Sequence, residues 1–275
     1  MGFSRQFLIA AALVGAFGVP HASARFLASH RAIYDLALDK ASDKSGITSL
    51  SGRMVYEFSG SPCEGYTTNF RYVTRINTED VSRLTDQQTT TFEDGAGKTF
   101  SFVTKSLVDQ EPDKEVKGVA ARSPDGITVK LTKPQKADLS LRQTWFPTQH
   151  LVELLDKAER GEHFYETSLF DGSDSADRVM TTTVVVGKHT ETKPDDPEYA
   201  ALGSMKHDRY WPVTIAYFDT SGDKAAEMLP TYTISLKLHD NGITRDLLMD
   251  YGDFSVKGKL VNLAVFDPHQ DKCKQ

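Results

Sequence analysis

Apolar and polar side chains alternate at a spacing of two residues along most of this chain. Only an extended strand places every second side chain on one face. Met54, Tyr56 and Phe58 alternate with Val55 and Glu57. Tyr66, Thr68, Phe70, Tyr72, Thr74 and Ile76 then share one face, while Thr67, Asn69, Arg71 and Arg75 take the other. The pattern returns in Ile127, Val129 and Leu131 and in Tyr232, Ile234, Leu236 and Leu238. The run from Val179 to Val186 is rich in Thr and Val, whose branched side chains suit a pleated surface.

Turn chemistry separates these runs. Asp240-Asn241-Gly242 between Leu238 and Ile243 is the strongest short hairpin signal, because Asn and Gly tolerate positive φ. Asp94-Gly95-Ala96-Gly97, Pro124-Asp125-Gly126, Ser221-Gly222-Asp223 and Tyr251-Gly252-Asp253 mark further breaks. Strands joined by such turns predict an antiparallel meander rather than repeated βαβ units. One helix is expected from Pro147, with Thr148 as its N-cap, Leu151, Leu154, Leu155 and Ala158 as its apolar stripe, and Gly161 as its stop. A second, short helix is expected around His30 to Leu38, and Lys193 to Gly203 reads as a loop that holds at most a helical turn. No linker and no 20–50-residue repeat divides the chain, so one domain is expected over residues 25–275.

Residues 1–24 read as a cleaved export signal. Arg5 supplies its positive start, Phe7 to Val19 its apolar centre and Ala22-Ser23-Ala24 its small-residue cleavage site. The apolar run is shorter than the roughly 20 residues that span a bilayer, and no later segment reaches 18, so no membrane span is expected. The expected address is the periplasm. The chain carries a net charge of −6, and cleavage removes one further cation, so nothing favours phosphate backbones and nucleic acid is not an expected partner. Both cysteines, Cys63 and Cys273, lie in the exported part, where an even count favours a disulfide.

Motifs for chemistry fail on inspection. Gly97-Lys98-Thr99 resembles the end of a phosphate loop, but Phe92 stands where its first glycine belongs and a strand pattern follows where a helix is needed. No His-Glu-x-x-His occurs, and the acidic stretch Asp171 to Asp177 lacks the spaced ligands and closing Glu of a calcium loop. No Gly-x-Ser-x-Gly elbow is present, and the histidines are scattered. No catalytic residue, metal or cofactor is expected. What remains is aromatic richness on amphipathic strands, which reads first as a filled β core. The sharper reading is a concave aromatic cleft, with Tyr56, Phe58, Phe70, Tyr72, Phe102, Trp145, Trp211 and Tyr217 as candidate ligand-binding residues.

Three runs carry a family likeness: Ser51 to Phe58, Cys63-Glu64-Gly65-Tyr66, and Ser82-Arg83-Leu84-Thr85-Asp86-Gln87-Gln88-Thr89-Thr90. With Asp250-Tyr251-Gly252-Asp253-Phe254 and the final Cys273, the chain resembles the EipB-type cell-envelope-integrity proteins of alphaproteobacteria over about residues 30–273. The resemblance implies a periplasmic, mainly all-β protein with a strongly curved antiparallel β-spiral like an open barrel. It also implies a Cys63–Cys273 pair and no established enzymatic activity. The expectation is a non-enzymatic envelope-integrity protein that binds a lipid, lipoprotein or peptide in its aromatic cleft. The alternatives are a scaffold that meets other periplasmic envelope proteins with no cleft ligand, and an envelope hydrolase with a dispersed site.

Overall fold

A computed structural model describes residues 25–220 and 229–266. The first half is a run of eight strands: β1 (His30–Ala41), β2 (Ile47–Ser61), β3 (Gly65–Thr78), β4 (Ser82–Glu93), β5 (Thr99–Val108), β6 (Glu111–Ser123), β7 (Gly126–Lys133) and β8 (Ala137–Leu141). Helix α1 (Pro147–Glu159) follows. Then come β9 (Phe164–Leu169), β10 (Met180–Val186), β11 (Thr190–Glu191), β12 (Arg209–Asp219), β13 (Tyr232–His239), β14 (Thr244–Asp250) and β15 (Phe254–Val265). Short 3-10 segments occupy Asp43–Ser45 and Tyr199–His207, the second within and just beyond the stretch expected to hold a helical turn.

All of these strands join one antiparallel sheet in the order β8-β7-β6-β5-β4-β3-β2-β1-β15-β14-β13-β12-β10-β9, with β11 beside β12. Two meandering arms thus spring from the central β1–β15 pair, in which His30 lies opposite Val265 and Ala41 opposite Phe254. The sheet curls without closing. Its ends, β8 and β9, are not paired as strands; instead a parallel bridge joins Trp145 to Leu169, with Trp145 N–H to Ser168 O at 3.2 Å and Phe170 N–H to Trp145 O at 3.0 Å. Arg142 adds a 2.8 Å bond to the Thr181 hydroxyl. The expected antiparallel, spiral β architecture is therefore observed.

The expected helix around His30 to Leu38 is instead part of β1. Its alternation decides this: Ala32, Tyr34 and Leu36 are buried while Arg31, Asp35 and Ala37 are exposed, and both neighbours, β2 and β15, satisfy its backbone. The Asn-Gly hairpin joins β13 to β14 as expected, with Gly242 at φ 87° and Asn241 Oδ1 accepting the Ile243 N–H. The Ser221-Gly222-Asp223 turn lies outside the described residues.

The core falls into three packs. Leu154, Leu155 and Ala158 of α1 meet Tyr165, Val184, Trp211, Val213 and Ile215 from β9, β10 and β12. Ala32, Tyr34, Leu36 and Met54 meet Leu247, Met249, Val256 and Leu260, with Leu202 and Met205 of the 3-10 segment between them. Phe100, Phe102, Val116, Ala120, Ile127 and Val129 pack with Phe146 and Phe170. Each buried leucine in such a pack contributes about 2–5 kcal/mol by the cost of its truncation to alanine.

Candidate functional site

The candidate aromatic residues separate into several places. Tyr56 and Phe70 are direct partners on β2 and β3, and Tyr72 lies opposite Met54 on the same face. Phe58 stacks on Tyr66 at 5.4 Å, and the His30 ring closes against Tyr56 and Phe58. The space left beside Tyr56 and Phe58 is about 10 Å³, bounded by Leu27, His30, Leu151 and Gly242. That is room for about one water molecule. Trp211 is buried on β12 with the His189 ring stacked on it at 4.0 Å, and Tyr217 stacks on Tyr232 at 4.3 Å. Phe102 sits in the third core pack against Phe100 and Phe170. Trp145 belongs to the seam between the sheet's ends, with the Arg122 guanidinium 5.0 Å above its ring.

Helix α1 is anchored at this seam by a residue that no local motif reveals. Thr148 is not its N-cap; the flanking residue is Phe146, with no side-chain cap of its own. The cap comes from Glu93 at the end of β4, whose carboxylate accepts the Thr148 N–H at 2.7 Å and the Gln149 N–H at 3.1 Å. Glu93 is buried. That burial pushes its carboxyl up to about 7, against the pull of the two N–H groups and of nearby Arg122. The helix stop is as expected. Gly161, at φ 75°, gives its N–H to Ala158 O and Glu162 gives its N–H to Lys157 O, a Schellman ending.

A second polar cluster was also invisible in the sequence. The fully buried Arg245 guanidinium donates to Asp196 at 2.8 Å, Glu198 at 3.4 Å, Thr192 at 3.2 Å and His239 Nε2 at 3.0 Å. Arginine only donates, so Nε2 accepts and the imidazole proton resides on Nδ1. Burial and the Arg245 charge push His239 down to about 4. Asp196 is held at about 2: burial opposes its charge, but Lys237 and Arg245 bind it. The β14–β15 ladder runs only from Leu247–Gly258 to Asp250–Ser255. Glu198 enters the wedge beyond it and accepts the Leu260 N–H. This cluster ties the 199–207 segment into the sheet.

His150 Nε2 lies 3.2 Å from the Thr182 hydroxyl, the spacing of a base and a nucleophile. Both side chains are buried in the core, where burial pushes His150 down to about 4. Neither residue lines the space beside Tyr56 and Phe58 or the cavity at Tyr232 and Tyr251.

A cavity of about 340 Å³ lies between the start of β10, the end of β12, the start of β13 and the β14–β15 turn. Met180, Tyr232 and Tyr251 give it apolar surface, and Asp171, Asp174, Asp219 and Arg178 give it charge, with Met180 and Asp219 direct partners across β10 and β12. Tyr251 lies 6.2 Å from Tyr232 and 5.0 Å from Phe254, with the Tyr72 hydroxyl near its own. Burial raises the Tyr217 and Tyr232 phenols, and the Asp171 charge adds to the effect. Gly172 holds the charged part of this lining in place. Its φ is +69°, and a Cβ there would stand 2.6 Å from Phe102 Cγ. Within the acidic stretch, Asp174 and Asp177 face Arg178, while Asp171 takes only the Ser173 N–H among the described residues. No group of three or more metal-binding side chains converges among the described residues. No described helix is long and apolar enough to cross a membrane. Of the candidates, only Tyr72 and Tyr217 adjoin this cavity's aromatic wall. The Tyr251-Gly252 turn was the sequence signal that could have pointed to it.

Comparison with known proteins gives a consistent result. The EipB-like family model matches residues 21–267. A protein of Brucella abortus (strain 2308) called "Cell envelope integrity protein EipB" is 57% identical over 252 residues, covering 91% of this chain and 89% of its own. A crystal structure described as a beta-barrel-like protein of domain of unknown function DUF1849, also from Brucella abortus, superposes with a TM-score of 0.85 at 56% identity. It covers 89% of this chain and 100% of its own.

Proposed function

This chain belongs to the EipB-like family, and we propose that it maintains cell-envelope integrity as a non-enzymatic periplasmic protein acting through contacts on its surface. The observation that carries this reading is the packing around the candidate aromatics: three apolar packs are built from the strands and α1, and about 10 Å³ remains beside Tyr56 and Phe58. An acyl chain has no room there. The outer face offers more. A hollow of about 520 Å³ lies over β1 to β4, with Ile33 and Val55 between the Arg31–Glu57 and Arg71–Asp86 ion pairs. Apolar ground rimmed by charge suits a protein partner.

The export signal at residues 1–24 and Cys273 lie outside the described residues, and both belong to this proposal. Chain geometry supports a Cys63–Cys273 bridge. Phe266 donates its N–H to Ser29 O, and the Ser29 hydroxyl accepts the Gly60 N–H. The ends of β15 and β2 are therefore separated only by β1, about 10 Å at two strand spacings. Seven residues lead from Phe266 to Cys273, a reach of up to about 25 Å.

Native mass spectrometry of the protein purified from its own periplasm tests the reading. The expected mass is that of residues 25–275 less two hydrogens, with no adduct. A retained lipid or acylated peptide would overturn the surface reading in favour of a second one, a ligand held against the aromatic inner faces of β2 and β3.

A further inference from the structure

We propose that the cavity between Asp171 and the tyrosine pair Tyr232 and Tyr251 binds an alkyl-ammonium group, the chemistry of a lysine side chain. The proposal refines the reading that this protein works by binding and does not depend on whether the rest of the interior is filled.

The lining has two chemically distinct parts. On the apolar side, ring faces and a thioether offer dispersion to an aliphatic stem, and aromatic faces attract cations. On the polar side, three carboxylates and one guanidinium line the cavity among the described residues. That guanidinium is already committed: Arg178 bonds Asp219 at 2.6 Å and Asp174 at 3.3 Å, and lies 4.0 Å from Asp177. Asp171 has no ion pair among the described residues. Its Oδ1 accepts one backbone N–H, that of Ser173 at 2.9 Å. It sits beside the stacked rings of Tyr217 and Tyr232, close enough for its charge to act on both phenols.

Alternative ligands fit less well. An anion meets an excess of negative charge. A purely apolar chain would cover the Asp171 charge with only the Ser173 N–H to answer it, a desolvation cost that burial of a few methylenes does not offset. A metal ion finds no converging ligands among the described residues. A cation with an aliphatic stem satisfies both parts of the lining together: the stem lies on Met180 and Tyr251 while the head reaches Asp171.

The test is a calorimetric titration of the full mature chain at low ionic strength. The probes are Nα-acetyl-lysine N-methylamide, its Nε-acetylated form and cadaverine. Saturable binding by the two charged compounds is expected, with the Nε-acetylated form weaker by about tenfold or more. Asp171→Asn, nearly identical in shape, should weaken binding by about tenfold with the melting temperature unchanged. Tyr251→Leu, at an exposed position, should weaken it independently. A tighter fit of the lysine amide than of cadaverine would identify a peptide side chain as the source, and the reverse a free amine. No saturable binding, equal binding of the Nε-acetylated compound, or wild-type affinity in Asp171→Asn would overturn the proposal. A lipid adduct in the mass spectrum would overturn the surface reading and leave this titration untouched.

Discussion

Glu93 caps helix α1 from 55 residues away, its carboxylate taking the Thr148 N–H at 2.7 Å. One residue at the end of β4 thereby fixes where the helix begins. The same place holds the Trp145–Leu169 bridge that links the two ends of the sheet. The contact stands on a buried carboxyl whose titration is shifted to about 7, so cap and seam are linked to pH.

The sign of that linkage is defined. Glu93 titrates higher in the folded protein than in the unfolded chain, where a glutamate has a value of about 4.3. Its contribution is therefore fully present below that value and is lost as pH rises through about 7. Glu93→Gln should remove this slope while keeping one acceptor oxygen for the helix. Urea melts of both proteins at steps from pH 4.5 to 7.5 should show their difference in stability changing by about 3 kcal/mol, an order-of-magnitude figure. Parallel curves would contradict the assignment.

His150 has the opposite effect. Burial lowers it from its ordinary value to about 4, so the native state resists protonation. Stability should fall as pH drops from about 6.5 toward 4. His150→Gln should flatten that acid limb, as read by thermal melts across the same interval.

Arg245 compensates buried acids. Replacing it with Met leaves Glu198 and Asp196 without their shared guanidinium, and breaking a buried ionic cluster on one side costs about 3–5 kcal/mol. The Tyr199–His207 segment should loosen first, because Glu198 joins it to Leu260. Hydrogen exchange at the Leu260 amide would report this. Unchanged protection in Arg245→Met would refute the role.

Gly172→Ala combines a positive φ with a Cβ placed against Phe102. A loss of about 1–3 kcal/mol is expected, seen as a lower urea midpoint with unchanged slope.

Cys63→Ser and Cys273→Ser should each lower the melting temperature by a similar amount, with the double variant little worse than either. The loop-closure model sets an upper figure of roughly 5 kcal/mol for a ring of this size. Equal melting with and without reductant would remove the bridge from the account.

Much of the fold was legible along the chain. The alternation in Tyr66 to Ile76, the Asn241-Gly242 hairpin and the Gly161 helix stop all act over a few neighbouring residues, and the structure honours each of them. The His30–Leu38 stretch shows the limit. Its own residues allowed a helix, and pairing with β15, whose residues lie at the far end of the sequence, made it a strand. The candidate site divides in the same way. Aromatic residues could be placed on one face of a strand, but which of them meet depends on how the sheet curls, so Tyr56 and Phe70 came together while Phe102 and Trp145 went elsewhere. Glu93, Arg245 and Asp171 carry no local signature. Their roles arise from burial and from partners supplied by distant strands, because the cost of an unpaired charge is set only once water has been excluded. The sequence by itself determined strands, turns and one helix through short-range sterics and periodicity. Tertiary structure alone decided register across β1 and β15, the remote helix cap and the charged cavity beside Tyr232 and Tyr251, since each requires surfaces that meet only when the sheet has curled.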